Sequence, residues 1–336
     1  MGDCNLMKER FEGIDGLKAY AILGIALMHV LANGNFNLNG FIFDDLIPSF
    51  TNLVFLFMMV SGFGMCCGYY QKILDQKISV EEFYKKRYMK IWPYFALLCL
   101  LDFVISPSKE SLFEVFANLT LAQGLLPNAN ISVIGVSWTL AVIFVFYMLF
   151  PFFCFLIRNK RRAWKVAIIA LIFNWLCSSY FDATRTNIIY DAVYFIVGGL
   201  VFLYRKELCE FASKNRIISG GILLISTITY FVLGHTTITM LFFCVAALVY
   251  TLGCNRGGVL VNPAAKFFGS ISFEIYLCHM VIYRLLEKLH LVHLFGDGVF
   301  ACIFTAFAVI CGSVVFSLCA KLFLSKILNY RRVSNV

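Results

Sequence analysis

Long runs of apolar residues, separated by short polar segments, recur along the whole chain. A membrane-spanning α-helix needs about 20 such residues. The pattern predicts an all-α, polytopic bundle of ten transmembrane helices. The predicted spans are Ile14–Leu31, Pro48–Tyr69, Ile91–Val104, Ser137–Leu156, Ala163–Tyr180, Ile188–Tyr204, Ile217–Leu233, Ile238–Leu252, Gly269–Leu286 and Val299–Leu318. The third is short, so we expect it to begin earlier, with Arg87 and Lys90 in its first turns.

The segment Ser111–Leu126 is less apolar and is predicted to be an interfacial or re-entrant helix. No linker rich in Pro, Gly or Ser divides the chain, which predicts one integral-membrane domain over residues 1–336. Composition agrees, since 61% of the residues are hydrophobic and only 14% are charged. Soluble domains carry about 25% charged residues, so a soluble globular protein is excluded.

The distribution of the 28 Lys and Arg residues predicts the orientation. If the N-terminus is cytoplasmic, the outer loops hold only Lys109, Arg185 and Lys288, while Lys18 and Arg284 fall within spans. All the other basic residues then lie in or beside cytoplasmic segments, as in most membrane proteins. Both termini are therefore predicted to be cytoplasmic, in a multi-pass protein of the plasma or inner membrane. The net charge of +9 is explained by contact with anionic membrane lipid, so no nucleic-acid partner is expected.

Thirteen cysteines do not indicate a metal centre. Most lie inside predicted spans, where cysteine behaves as a small hydrophobic residue. The chain has no CxxC pair and no Cys/His spacing suited to zinc. No bound metal is predicted.

The first predicted span contains three ionisable residues, Asp15, Lys18 and His29. Lys18 and His29 are 11 residues apart, close to three helical turns, so they should share one face about 16 Å apart along the axis. Asp15 precedes Lys18 by three residues and can form an ion pair with it. Two explanations fit: a functional site, or a lysine that reaches the interface and a histidine that bonds a neighbouring helix.

Five segments, in order along the chain, carry further motifs. They are Arg10–His29 with ten residues between Lys18 and His29, Phe57–Phe63 ending in Ser-Gly-Phe, Lys86–Tyr94, Ser137–Pro151 with its Ser-Trp and Phe-Tyr-Met-Leu-Phe-Pro elements, and Gly269–His279. Together they resemble acyltransferase family 3, the integral-membrane O-acyltransferases that modify surface polysaccharides and related extracytoplasmic acceptors.

The resemblance implies catalytic roles for His29, Lys18, Asp15 and His279. A free imidazole has a pKa of about 6.5 and suits removal of a proton from a hydroxyl, so His29 is the expected base or orients the reacting groups. Lys18 binds phosphate, polarises the thioester or neutralises Asp15. His279 lines the same cavity or makes a helix–helix hydrogen bond.

The resemblance also implies a donor site. Acyl-coenzyme A carries phosphates that Arg87 and Lys90 could bind from the cytoplasm, while their alternative role is to anchor the topology. The family often has Arg at the position of Lys90. Lysine keeps the positive charge there but lacks the bidentate fork of arginine. The remaining cavity candidates are Ser61, Trp138 and Tyr147, for each of which packing or anchoring is an alternative explanation.

A second departure from the family is Ile143, which stands where many members have a glutamate. The implied function is transfer of an acyl group, acetyl above all, from cytoplasmic acyl-coenzyme A to a hydroxyl of an extracytoplasmic glycan or glycolipid. No tightly bound cofactor is implied. A transporter or exporter of a lipid-linked sugar and a receptor or scaffold without turnover are the competing classes.

Overall fold

The computed structural model describes residues 11–121, 123–125, 131–254 and 257–328, and within these ranges helices are the only regular secondary structure. The α-helices are α1 Glu12–Asn33, α2 Ile47–Ser49, α3 Leu53–Met65, α4 Gln71–Leu74, α5 Val80–Ile105, α6 Lys109–Thr120, α7 Ser137–Leu156, α8 Lys160–Ser179, α9 Ile188–Leu203, α10 Arg205–Lys214, α11 Arg216–Val232, α12 Thr237–Leu252, α13 Pro263–Ser270, α14 Ser272–Lys288 and α15 Val299–Leu328. The all-α prediction is confirmed.

Five described helical segments are long and apolar enough to cross a membrane. They are Glu12–Asn33, Ile42–Leu74, Val80–Ile105, Ser137–Leu156 and Val299–Ile327. The number rises to seven if the bent pairs α9–α10 and α13–α14 each count as one span. The chain is therefore a polytopic helical membrane protein, but the predicted count of ten is not confirmed. The shortfall lies in α11 and α12, which have 17 and 16 residues, and in α8, whose first turns are basic.

The observed helix bounds follow the apolar pattern where polar residues flank it closely. Helix α7 begins at Ser137 and ends at Leu156, as predicted. Helix α5 begins earlier than its apolar run, at Val80, because the Ser79 side chain accepts a hydrogen bond from the Glu82 backbone N–H at 3.0 Å. The predicted ninth span is divided at Ile271, where α13 ends.

The weakly apolar segment after α5 contains a short helix of its own. Ser108 and Ser111 form a reciprocal capping box at the start of α6. A 3₁₀ turn follows at Gln123–Leu125, and Leu126 lies outside the described residues. Phe113 and Phe116 are largely exposed on α6. Its interfacial or re-entrant placement stays a prediction.

The chain forms two compact units, one of residues 1–21 and 204–272, the other of residues 22–203 and 273–336. In the first unit, Gly16 lies against the Leu260 backbone and Gly269 against the Asp15 backbone, so closely that a Cβ at either glycine would overlap. The single domain predicted over residues 1–336 stays a prediction, since compactness alone does not define a part that folds independently.

In the second unit, α3 and α9 are held at short range by two glycines. Gly62 lies against the Phe195 carbonyl and Gly198 against the Met59 carbonyl, with no room for a Cβ at either position. Such small residues let helix backbones approach in a membrane. A π-helical turn at Cys66–Tyr70 then continues α3 into α4.

Candidate functional site

The second unit brings two of the predicted catalytic histidines together. The ring centroids of His29 in α1 and His279 in α14 are 5.2 Å apart. His279 is fully buried, and its Nδ1 lies 2.7 Å from the Tyr276 carbonyl oxygen and 3.2 Å from that of Ile275. Both partners are acceptors, so Nδ1 carries the hydrogen and Nε2 keeps a lone pair. Within the described ranges, Nε2 has no hydrogen-bond partner.

His29 differs from His279 in its surroundings. Its side chain is only partly buried. Asn33 donates a hydrogen bond to the His29 backbone carbonyl at 2.8 Å, but no described residue hydrogen-bonds its imidazole. One ring of the pair is thus fixed to the main chain, and the other is partly exposed and is not hydrogen-bonded by a described residue.

Tyr276 joins the histidine pair to the start of α7. Its ring centroid is 6.0 Å from that of His279, and its hydroxyl is hydrogen-bonded to Thr139 Oγ1 at 2.8 Å. Both side chains are buried. Thr139 follows Trp138, one of the predicted cavity residues, so this hydroxyl contact links the histidines to the tryptophan.

Trp138 is covered by a cation from the segment between α8 and α9. The guanidinium carbon of Arg185 lies 5.2 Å from the Trp138 ring centroid. Its Nη1 donates a hydrogen bond to Thr51 Oγ1 at 2.9 Å. The charge of Arg185 also acts electrostatically on His29 and Tyr276.

The other two cavity candidates contact each other. Ser61 Oγ and Tyr147 Oη are 3.5 Å apart, at the outer limit of a hydrogen bond. Ser61 immediately precedes Gly62, whose close approach to α9 fixes the backbone here. Packing therefore accounts for Gly62, and the place of Ser61 in the cavity stays a prediction.

The predicted ion pair of the first span is present in the first unit. Lys18 Nζ lies 3.6 Å from an Asp15 carboxylate oxygen, three residues earlier in α1. Both side chains are partly exposed, at 32% for Lys18 and 17% for Asp15. Asp15 thus offsets the charge of Lys18, and the catalytic roles implied for the two residues stay predictions.

Arg87 is buried in the second unit rather than presented at the surface. Its Nη2 donates to Tyr69 Oη at 2.6 Å, Nη1 lies 3.6 Å from Met65 Sδ, and its guanidinium carbon is 4.6 Å from the Tyr69 ring centroid. Its buried Nε has no partner in the described part of the chain. Lys90, one turn later in α5, is exposed. A guanidinium enclosed by protein does not lie among lipid headgroups, and its contacts with Tyr69 give it a packing role. The donor-binding role of Arg87 and Lys90 stays a prediction.

A partly buried ion pair that the sequence did not predict lies elsewhere in the second unit. Arg284 Nη1 donates to both carboxylate oxygens of Asp102, at 3.0 and 3.1 Å. The backbone N–H of Ile134 also donates to Asp102 at 3.1 Å, and Arg284 Nη2 donates to the Ser132 carbonyl at 2.9 Å. A cavity of about 390 Å³ adjoins this pair. Its serine hydroxyls are already bonded, those of Ser108 and Ser111 in the helix cap, that of Ser106 to Lys288 and that of Ser132 to Glu114.

Sequence reasoning missed three residues of the site: Tyr276, Thr139 and Arg185. Tyr276 has a local signal, since it precedes His279 by three residues and so faces the same side of α14. For Arg185 the sequence shows only that it is one of the few basic residues in the predicted outer loops. At Ile143 the described α7 has a half-buried aliphatic side chain and no carboxylate.

The chain matches the family model for acyltransferase family 3, described as an acyltransferase domain, over residues 11–321. No curated protein and no solved structure matches it. The match covers almost the whole chain and includes both histidines, Arg87 and Lys90.

Proposed function

This chain belongs to acyltransferase family 3, and from that membership we propose that it is an O-acyltransferase that moves an acetyl group from cytoplasmic acyl-coenzyme A to a hydroxyl of an extracytoplasmic glycan or glycolipid. It is at the least a multi-pass membrane acyltransferase. The observation that carries the finer proposal is the histidine pair. An accessible imidazole next to a buried one with a free lone pair is suited to moving a proton away from a hydroxyl.

In the proposed step, His29 removes the proton from the acceptor hydroxyl as its oxygen attacks the thioester carbonyl. The carbon–oxygen bond forms, the carbon–sulfur bond breaks, and His29 passes the proton to the leaving thiolate. In this step Nε2 is the ring nitrogen of His279 that takes part, because Nδ1–H is already hydrogen-bonded to main-chain carbonyls. A lone pair at that atom can accept a hydrogen bond from His29 when His29 is protonated.

Arg87 and Lys90 are the proposed phosphate-binding residues of the donor site. The unpartnered Nε of Arg87 supports this role, because a buried N–H without an acceptor in the free protein can be paired by a phosphate oxygen. Tyr69 holds the guanidinium in place from one side. Lys90 is exposed and adds a second positive charge.

The test is His29→Ala, assayed by transfer of labelled acetyl from acetyl-coenzyme A to surface glycan in membranes. A positioned general base contributes about 10²–10⁴-fold, and we expect a loss of that size at unchanged abundance. His235→Ala is the matched control, since His235 is exposed and stacks on Tyr230 with ring centroids 4.3 Å apart. It should keep its activity.

His29→Asn provides a second variant of more similar size, in case the alanine variant inserts poorly. An inserted His29 variant that acylates at the wild-type rate would exclude His29 as the base. Comparison of glycan acyl esters in cells with and without the chain separates an enzyme from a transporter or scaffold. If the ester content is the same, the transferase proposal fails.

A further inference from the structure

Arg185 is held on two sides by groups that position its guanidinium. Thr51 Oγ1 accepts a hydrogen bond from Nη1 at 2.9 Å, and the Trp138 ring lies beneath the guanidinium carbon at 5.2 Å. The side chain is half-buried. Two contacts from separate helices reduce the rotamer freedom of an otherwise flexible cation.

No carboxylate of the described residues forms an ion pair with Arg185. Asp191 lies six residues later, but it is fully buried and neither of its oxygens is hydrogen-bonded by a described residue. No described acceptor is hydrogen-bonded to Nε or Nη2 of Arg185 either. A half-buried cation with no described carboxylate at ion-pair distance carries a desolvation cost that a bound anion would offset.

The unused part of the guanidinium has a defined shape. With Nη1 bonded to Thr51, the Nε–Nη2 edge remains as a fork of two parallel N–H groups. Stacking on Trp138 keeps this fork in one plane. Two parallel donors match the two oxygens of a carboxylate or phosphate better than a single hydroxyl.

A run of contacts connects this fork to the histidine pair. Trp138 beneath Arg185 is followed by Thr139, whose hydroxyl is bonded to Tyr276, and Tyr276 stands beside His279. His279 in turn lies beside His29, with ring centroids 5.2 Å apart. A ligand held by the fork would therefore lie at one end of a run of contacts that ends at the histidines.

We propose that Arg185 determines acceptor specificity: its free edge binds the carboxylate or phosphate of an acidic glycan acceptor and so presents a nearby hydroxyl to His29. This rests on the proposed transferase function. The acceptor class is thereby narrowed from glycans in general to those that carry an anionic group near the acylated hydroxyl.

The experiment compares probes that differ only in charge, on purified protein in lipid nanodiscs. Methyl glucuronoside and methyl glucose 6-phosphate are the acidic probes, and methyl glucoside is the neutral one. Binding is followed by the fluorescence of Trp138 in a background of Trp92→Phe, Trp164→Phe and Trp175→Phe. We expect at least one acidic probe to bind about tenfold or more tightly than the neutral sugar, the size of a charge-assisted hydrogen bond. Which acidic probe binds distinguishes a carboxylate from a phosphate ligand.

Two variants test the assignment to Arg185. Arg185→Gln should reduce the preference for the acidic probe to less than about twofold, with neutral-sugar binding unchanged. Arg185→Lys should keep part of the preference, since it retains the charge without the fork. In acyl transfer, Arg185→Gln should raise KM for the acidic acceptor and leave kcat nearly unchanged.

Equal binding of acidic and neutral probes by the wild-type chain overturns the proposal without any variant. A fall in kcat with neutral and acidic acceptors alike also overturns it, because Arg185 would then act on the reacting carbonyl. If the wild type acylates a neutral sugar in a His29-dependent way and ignores charge, this proposal fails and the transferase stands. Arg185-dependent binding of an acidic sugar by a chain that transfers no acyl group supports the anion site and refutes the transferase.

Discussion

Two polar pairs of the second unit, each with one buried member, differ in how completely their atoms are bonded. At Asp102 and Arg284, both carboxylate oxygens receive donors, and two further backbone groups complete the set. At His29 and His279, one nitrogen is bonded to the main chain, while the buried Nε2 has no partner among the described residues. Polar groups inside a membrane protein are costly, so full pairing indicates a structural role, and an unpaired atom calls for a ligand or a reaction.

Removing one partner of the Asp102–Arg284 ion pair should give the largest change in the stability of the protein. Asp102→Leu removes the carboxylate that accepts from the partly exposed Arg284 and from the Ile134 N–H, which costs about 1.5–3 kcal/mol of stability. The double variant Asp102→Leu with Arg284→Leu removes both charges and should recover most of that loss. Thermal unfolding of purified protein in detergent, followed by size-exclusion chromatography, measures this. A double variant as unstable as the single one would contradict the structural role of the pair.

The histidine pair should respond in activity and not in stability. In His279→Asn the side-chain amide can still donate to the Tyr276 carbonyl, but the lone pair at Nε2 is lost. We expect acyl transfer to fall by about 10²-fold, the low end for a proton-transfer group, with the melting temperature nearly unchanged. Rates of acetyl transfer and unfolding curves on the same preparation measure both. A wild-type rate would show that Nε2 has only a structural role.

The contact of Gly62 with Phe195, in the same unit, is expected to affect stability alone and serves as the comparison for the two polar pairs. Gly62→Ala places a methyl group against the Phe195 backbone, and overpacking costs about 1–3 kcal/mol. Gly64→Ala is the matched control, because a Cβ there meets nothing within 4 Å. Yield of folded protein and activity per folded molecule are measured together. Gly62→Ala should lower the first and spare the second; the opposite result would place Gly62 in the chemistry.

Local features of the sequence were predictable, and contacts between distant segments were not. The Asp15–Lys18 pair follows from a three-residue spacing on one helix. The bounds of α7 follow from an apolar run with polar flanks. An earlier start of α5 was expected near Arg87, and it lies further upstream at Val80, because the Ser79 cap fixes its charged first turns.

The site needed information that no local pattern contains. His29 and His279 come from the first and fourteenth helices, and their ring spacing depends on how these helices pack. Arg185 contacts Trp138 from a segment that the sequence predicts only to be a polar loop. The family motifs marked both histidines and Trp138, but a motif does not say which residue lies opposite each of them.

The π-helical turn Cys66–Tyr70 is a place where the chain can lose one residue without turning the helix that follows. Its five residues sweep about 410°, and four α-helical residues sweep about 400°. Deleting Gly68, whose Cβ position meets nothing within 4 Å, would therefore close the run as α-helix and leave α4 close to its present orientation. Deleting a residue within α3 instead would rotate the following residues by about 100° and turn Tyr69 away from Arg87. Alignments of related sequences should show single-residue gaps at this turn and exclude them from α3.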